Sequence, residues 1–568
     1  MSTYIGQEGH LLYKKLIRTS FGMAGFECKR NDHRAVLVWY DDLRKKDFYG
    51  PLKPWQIVNR FPMINVICRK APFVRLIQRT AQTFPSSFHF LPKSYLVPLQ
   101  GKEFEDDVHK NEKRWIVKPD RGSLGAGIKI IEIGGVIPKI ERLCVAQEYI
   151  PSFHIDGYKF DFRIYALVAS VDPLRVYVYR NGVARFCSKK SGEKSVFAEL
   201  TNKSLNKKNP DVVMTQIVKM IADVMDRLKR EGHDTDRLWS RIDRAIVSTV
   251  ITSTRFLKRG MDKQCPRIGF QRCFQILGFD VLLDEDLNPK ILEVNYRPSL
   301  ETNADYERKM KSSMLSDCMK IMAPAPELQQ YVIDNYSDDL ADRWNDLIRT
   351  DPKLKKAIEL TNQKHAKLGN VGNFVMAYPV DNERLMKKWN RMIEFVGKMP
   401  TDLRSKYLLP EMLKRKSKEP NTMDTSITEI EDKEREMEMD NILDNETIAA
   451  AEAEDDEVFA QIDERERLAA EENDAKLKTR KAKKSSRKNS GKSSKKNSAK
   501  GSKRNSRKPS PGDDKPVEVE IPKKDDDLIR SKTQKLPPPP HPIDEEDVPE
   551  KIKPKRSGSR KGTKKSKK

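Results

Sequence analysis

From about Arg415 onward this 568-residue sequence stops supplying what a folded core needs. The stretch is charged, repetitive and nearly without aromatics, so it cannot bury enough apolar area to offset the entropy of ordering it. Up to about Pro324, by contrast, apolar runs, aromatics and turns are mixed as in a globular protein. Folding is therefore expected to be confined to the first part of the chain. Residues 427–475, rich in Glu, Asp, Ala and Arg, read equally as an exposed helix or a solvated acidic linker. Residues 476–510 repeat a basic theme (RKNS, KKNS, KRNS, RKPS), LPPPPHP (536–542) favours polyproline II, and the end is basic again. These parts are expected to be disordered.

A formal charge of +25 points to acidic partners: nucleic acid, an anionic membrane or an acidic protein surface. Few aromatics interleave the basic run, which disfavours base stacking, so nucleic acid is not an expected partner. Seven cysteines without metal-type spacing suit a reducing compartment. The N-terminus lacks a signal peptide's apolar stretch, and no run approaches the roughly 18 apolar residues of a membrane span. The expectation is a soluble, intracellular, monomeric protein without a membrane partner.

Within the globular part, AVLVWY (35–40) reads as a short buried strand. WIVKP (115–119) and IKIIEI (128–133) flank a glycine-rich turn, giving strand–loop–strand. CVAQEYI (144–150), FDFRIYALVAS (160–170), RVYVYR (175–180) and ARFCS (184–188) are further strands, the last two expected to meet in a hairpin at Asn181-Gly182. Apolar spacing predicts two helices within 211–258, and 305–322 and 325–415 are expected to be helical. FQILGFDVLLD (274–284) and KILEVN (290–295) return to strand. Strands and helices in mixed order indicate an α+β fold.

Three groups of residues carry candidate chemistry. Asp280 lies on the first strand of the hairpin 274–295, and Glu293 and Asn295 lie two apart on the second, hence on one face. Two carboxylates and an amide oxygen are hard ligands suited to Mg²⁺. Lys118 ends a strand before RGSLGAG, a plausible phosphate grip, though not a P-loop, since no Gly-Lys-Ser/Thr opens a helix. The extended run Gln147, Glu148, Tyr149, Ile150 can pair its backbone with an adenine edge, and Lys159, Asp161 and Arg163 share one strand face around Phe160. Salt bridging across a sheet is the plain alternative for that charged row.

Together these elements resemble the tubulin tyrosine ligase-like family, which has an ATP-grasp core, over roughly residues 35–322. The likeness runs through LKPWQIVNRFP (52–62), CRKA (68–71), FHFLPKSYLVP (88–98), the Lys118 loop, DGYKFDFRIYALVASVDPLRVYVYRNGVARF (156–186), LTNKSLNK (200–207) and GFDVLLDEDLNPKILEVNYRPSL (278–300). The polyglutamylase branch is the most similar. The resemblance divides the chain into an N-terminal α/β lobe (1–100), central and C-terminal ATP-grasp lobes (101–324), a helical extension (325–415), an acidic helical or linker segment (416–475) and a basic Ser/Pro-rich tail (476–568).

By position it implies that Lys118, Leu124, Gly125, the run 147–150, Lys159, Phe160, Asp161, Thr201 and Asn202 hold ATP, and that Asp280, Glu293 and Asn295 hold Mg²⁺. Arg163 faces phosphate or the incoming carboxylate, with Glu293 as its partner in catalysis; Arg185 grips the free amino acid, assisted by Lys203 and Ser204. In family terms a glutamate carboxylate on the acceptor is phosphorylated, and the amine of free glutamate attacks the acyl phosphate. The implied partner is the acidic tail of tubulin, and the implied location is cytoplasm and cytoskeleton, including cilium, flagellum or basal body. Departures fall at Leu124 (usually Gln), Glu199 (often His), Lys203 (Tyr) and Leu205 (Ile), and the family's downstream substrate lysine has only Lys219 near its place. Glycine or tyrosine ligation, and an inactive microtubule-binding scaffold, stay open beside glutamate ligation.

Overall fold

Alternation along one long strand decides how the molecule is layered. In Tyr158–Val171, residues 160, 162, 164, 166 and 168 enter one apolar cluster, whereas Tyr165, Leu167 and Ala169 enter another on the opposite face. The second face changes character along its length: Lys159, Asp161 and Arg163 precede the apolar residues. A computed structural model describes residues 4–8, 13–40, 49–120, 127–140, 142–210, 212, 214–266 and 268–399. The expected segments 416–475 and 476–568, residues 400–415, and Leu124 and Gly125 lie outside them.

The central sheet runs Val218–Met220, Leu174–Phe186, Tyr158–Val171, Gln275–Leu283, Pro289–Asn295, with each neighbouring pair antiparallel. Its apolar face lies against the 30-residue helix Thr235–Gln264, whose buried stripe includes Leu238, Ile242, Ile246 and Val250. The other face is covered over its apolar half by helix Asp305–Met322, through Met310, Met314 and Met319. A parallel sheet ordered Phe26–Arg30, Tyr4–Glu8, Leu37–Trp39, Ile57–Val58 builds the N-terminal part. A small antiparallel sheet, Ser94–Val97, Cys144–Glu148, Trp115–Pro119, Lys129–Ile131, carries the expected strand–loop–strand. Its own cluster packs Trp115 on Phe104 at 5.2 Å. The arrangement is α+β, and among the described residues no helix is long and apolar enough to cross a membrane.

Three expectations need correction. Asn181-Gly182 does not turn the chain: Leu174–Phe186 is one continuous strand, and the hairpin closes at Asp172-Pro173, between the paired Val171 and Leu174. Tyr179, Arg180 and Asn181 stand opposite Tyr165 alone, so the Asn-Gly pair marks a bulge, the other use of a glycine within a strand. Packing overrides local turn preference here. Gly182 has no room for a side chain, because a Cβ would run into the Arg163 carbonyl oxygen and Ile221. Second, the helix expected from 212 to 230 is broken by strand Val218–Met220, an edge strand of the central sheet between helices Met214–Ile217 and Ile221–Arg230. Third, residues 325–399 are not helical throughout: Phe374–Tyr378 is a strand that pairs with Leu174–Phe186.

Gly182→Ala is expected to destabilise the protein by roughly 1–3 kcal/mol, the usual cost of forcing volume into packed structure. A thermal-unfolding midpoint equal to that of the parent would show that strand spacing is not set there.

Candidate functional site

Register brings the charged residues together. Arg163 stands opposite Asp280, Asp161 opposite Arg185, and Asp280 opposite Glu293 across successive strands of the central sheet. Asp280 accepts from Arg163 Nε at 2.5 Å and Nη2 at 3.1 Å, and pairs with Arg185 Nη2 at 2.8 Å. Arg185 also donates to both oxygens of Asp161, at 2.7 and 2.5 Å, and the Thr201 hydroxyl donates to Asp161 at 2.8 Å. Burial alone would raise the Asp280 carboxyl, but Arg163 and Arg185 outweigh it and hold the group well below the usual carboxylate range. Burial works against the Arg185 charge too, and Asp161 and Asp280 overcome it, so that guanidinium is held firmly protonated.

The Glu293 edge is shaped by a second bulge. Asp280 pairs with Glu293 but Val281 pairs with Ile291, so Leu292 is the extra residue. Glu293 and Asn295 thereby share the face of Asp280, and Asn295 Nδ2 donates to Glu293 Oε1 at 3.3 Å. Gly278 lies beneath: a Cβ there would stand 2.8 Å from Pro298 Cβ and 3.1 Å from Arg163 Cδ, so its absence lets the arginine cross the strand toward Asp280. Among the described residues no three His, Cys, Asp or Glu side chains gather into a metal cluster. The set here is two carboxylates and an amide, and it fits a hard divalent ion that keeps waters and phosphate as its remaining ligands.

Across from Glu293, the small sheet contributes the buried Lys118, whose Nζ donates to Gln147 Oε1 at 2.8 Å. Burial pushes the Lys118 ammonium down to about 8, with Glu293 and Asp280 supporting its charge and Lys70 and Lys159 opposing it. Arg69, Lys70, Lys118, Gln147, Leu292 and Glu293 line one narrow cleft. Lys159 is also buried and pushed down to about 8, and it donates to the Tyr149 hydroxyl at 2.5 Å. Two cations stand over the Tyr149 ring, Arg114 at 4.4 Å from its centroid and the Lys159 ammonium at 3.9 Å. Its hydroxyl donates to Glu199, which Arg114 meets at 3.0 Å.

Several expected residues sit apart from this constellation. The Phe160 side chain points into the core, stacked on Phe186 at 5.2 Å, so only its backbone borders the site. Glu148 pairs with Lys113 at 2.7 Å, and Ile150 is half-buried. Asn202 caps the short helix Lys203–Asn206 through its carbonyl, which accepts from Asn206. Lys203 lies 3.8 Å from Glu301, with the half-buried Ser204 beside it in sequence. Arg69, Lys70, Asp120 and Gly278 were assigned no role from the sequence, although CRKA (68–71) and the stretch from Gly278 belong to the likeness quoted there.

Residues 50–330 match the family model described as the tubulin-tyrosine ligase family. The chain is 32% identical to tubulin polyglutamylase TTLL13 of Mus musculus over 320 residues, 54% of this chain and 40% of that protein. It is 34% identical to tubulin polyglutamylase ttll6 of Danio rerio over 299 residues, 50% and 38% of the two chains. A probable beta-tubulin polyglutamylase of Tetrahymena thermophila matches at 28% over 373 residues, 61% and 31% of the two chains. The chain thus spans less than half the length of these curated relatives.

Removing Arg185 would strip Asp161 of its guanidinium partner and leave Asp280 with Arg163 alone. Arg185→Met is expected to cost about 3–5 kcal/mol in urea unfolding at neutral pH. The depressed Asp280 contributes stability that is fully present above its unfolded value near pH 4 and is lost as pH falls through the lower folded value. The variant's deficit should therefore shrink on acidification, and a deficit that stays constant would contradict the pairing.

Proposed function

We propose that this chain, whose residues 50–330 match the tubulin-tyrosine ligase family model, is an ATP- and Mg²⁺-dependent ligase with an ATP-grasp-like core. It adds glutamate to glutamate side chains, or to existing glutamate chains, on the acidic tails of tubulin. The observation that carries the reading is the row Arg185, Asp161, Arg163, Asp280, Glu293 on one face of the central sheet, alternating in sign as far as Asp280, with Glu293 and the small sheet's Lys118 lining one cleft.

A carboxylate is a poor electrophile, and ATP with Mg²⁺ supplies the activation that turns an acceptor carboxylate into an acyl phosphate. Asp280, Glu293 and Asn295 would hold the ion, and Lys118, Lys159 and the backbone of 147–150 the nucleotide. Arg163 is fixed by Asp280 and cannot swing, which keeps a positive charge aimed at the site where anionic charge accumulates. Arg185 is locked in the same way and leaves Nη1 pre-oriented for the donor's α-carboxylate. Thr201, bonded to Asp161, fixes the start of the segment that brings Lys203 and Ser204 to the donor. These side chains position and neutralise reactants that otherwise repel one another, which is most of what phosphoryl and acyl transfer ask of a protein.

The domain division follows: residues 1–100 and 101–324 build the ligase, 325–415 extend it, and 416–568 form an acidic segment and a basic tail. Residues 476–510 hold sixteen Lys and Arg and no Asp or Glu, suited to capturing acidic tails on a microtubule and sensitive to salt. The proposed setting is the cytoskeleton. Glycine as donor is a second reading, favoured by one contact: Glu301 beside Lys203 offsets the charge that a glutamate side chain would seek.

Incubation of the purified chain with ATP, tubulin and each labelled amino acid, followed by mass spectrometry of the tails, tests the reading. Incorporation of no amino acid would overturn it, and incorporation of glycine alone would favour the second. Glu293→Gln is expected to abolish ligation while leaving microtubule co-sedimentation nearly unchanged, and a fully active variant would remove the metal assignment. Nucleotide phosphate should support the charge on Lys118, which burial leaves prone to lose its proton near pH 8. ATP affinity should be full well below pH 8 and, through Lys118 alone, about tenfold weaker at pH 9, one pH unit past that value, as isothermal titration would measure.

A further inference from the structure

The helix Lys70–Ala81 begins without a cap of its own. Its N-cap residue, Arg69, makes no side-chain capping bond, and the first turn carries no acid. The first N–H groups of a helix need an acceptor from elsewhere, and a carboxylate is favoured there by the helix dipole. That acceptor comes from the small antiparallel sheet, at the residue after strand Trp115–Pro119. Asp120 Oδ1 accepts from the Ala71 N–H at 2.9 Å, and Oδ2 accepts from Arg69 Nη2. Asp120 and Arg69 are both 8% exposed, so the contact is shielded from water. Asp120 is itself fixed by its main chain, donating to the Leu143 carbonyl at 3.0 Å.

The position of this carboxylate matters more than its strength. Two residues before it is Lys118, held by Gln147. On the helix side, the residue after Arg69 is Lys70, whose ammonium reaches to 3.9 Å from Glu293. Both lysines line the same cleft. One buried side chain thus joins the strand carrying one cation to the helix carrying the other.

We propose that Asp120 is a positioning residue: by capping the helix Lys70–Ala81 and clamping Arg69, it presents Lys70 and Lys118 to the triphosphate as a single unit. This rests on the nucleotide reading above. Asp120 touches no reactant; it acts through the two lysines. A merely structural ion pair would set stability alone, whereas a positioning role sets nucleotide affinity independently of the amino-acid donor.

Binding of a fluorescent ATP analogue to the full chain, together with KM values for ATP and for the donor amino acid, separates the two. Asp120→Ala is expected to weaken analogue binding and raise the KM for ATP about tenfold, with the KM for the amino acid unchanged, as loss of one charged helix cap implies. Asp120→Asn can still accept from Ala71 but offers Arg69 no charge, and should fall between the parent and the alanine variant. If the alanine variant does not fold, the asparagine variant carries the test through the ratio of the two KM values. A raised ratio supports the proposal, and an unchanged ratio overturns it. A lowered melting temperature with parental analogue binding would reduce Asp120 to a structural role. Failure of the folded parent chain to bind the analogue would instead remove the nucleotide reading, and this inference with it.

Discussion

The arrangement depends on Asp280 being shared by two arginines from two different strands. A carboxylate that is 4% exposed is costly to keep ionised, and an arginine buried beside it is as costly alone. From Arg185 to Asp280 the charges alternate and each has an opposite neighbour, so this part of the row persists as a rigid, paired network. Strand register holds that network. A one-residue slip of Tyr158–Val171 would send Asp161 and Arg163 into the cluster now formed by Phe160, Phe162 and Ile164. The slip is resisted by the bulge opposite Tyr165, where Arg180 reaches back to Asp243 on the long helix at 2.7 and 2.6 Å and stacks over Trp239 at 4.8 Å. A clamp on the back of the sheet therefore aligns charges on its front.

The same sheet is roofed on its front face by the helix Asp305–Met322 over its apolar half and left for chemistry over its charged half. The small sheet completes the cleft, and polar ties bind it to its surroundings. Asp120 reaches the helix behind Lys70, and Arg114 with Tyr149 reaches Glu199 in the segment that precedes Thr201. Glu199 stands where the resembled family often has His. Its carboxylate would rise with burial, but the Tyr149 hydroxyl and Arg114 hold it low, so it stays anionic beside Lys159. A histidine could not balance Arg114 in that way.

How much of this was legible in the sequence follows from which forces are local. The hairpin bearing the candidate metal ligands was readable because period two along KILEVN puts Glu293 and Asn295 on one face whatever surrounds them. The bulge at Leu292 that refines their aim left no trace in composition. Asn181-Gly182 misled because a turn signal measures local preference, whereas a thirteen-residue strand with neighbours on both sides outweighs two residues. Val218–Met220 was hidden within a helical apolar pattern because an edge strand of three residues is made by the neighbour it pairs with, not by its own propensity. Arg69 and Asp120 are 51 positions apart, and no periodicity links them.

In the ligation proposed for this chain, donor choice would turn on how tightly each cation is already held. Arg185 is engaged through Nε and Nη2 by Asp161 and Asp280, so Nη1 is the nitrogen those contacts leave for a further carboxylate. An α-carboxylate can therefore be added without displacing anything, and every amino acid carries one. Lys203 differs: its partner Glu301 is 35% exposed at the side chain, and a half-exposed pair of that kind contributes about 0–1 kcal/mol. A glutamate donor would have to take the place of Glu301 at Lys203, an exchange of one carboxylate for another at little net cost. A glycine donor leaves the pair intact. Selectivity between them then falls to whether the displaced Glu301 finds water, and its exposure gives it that route.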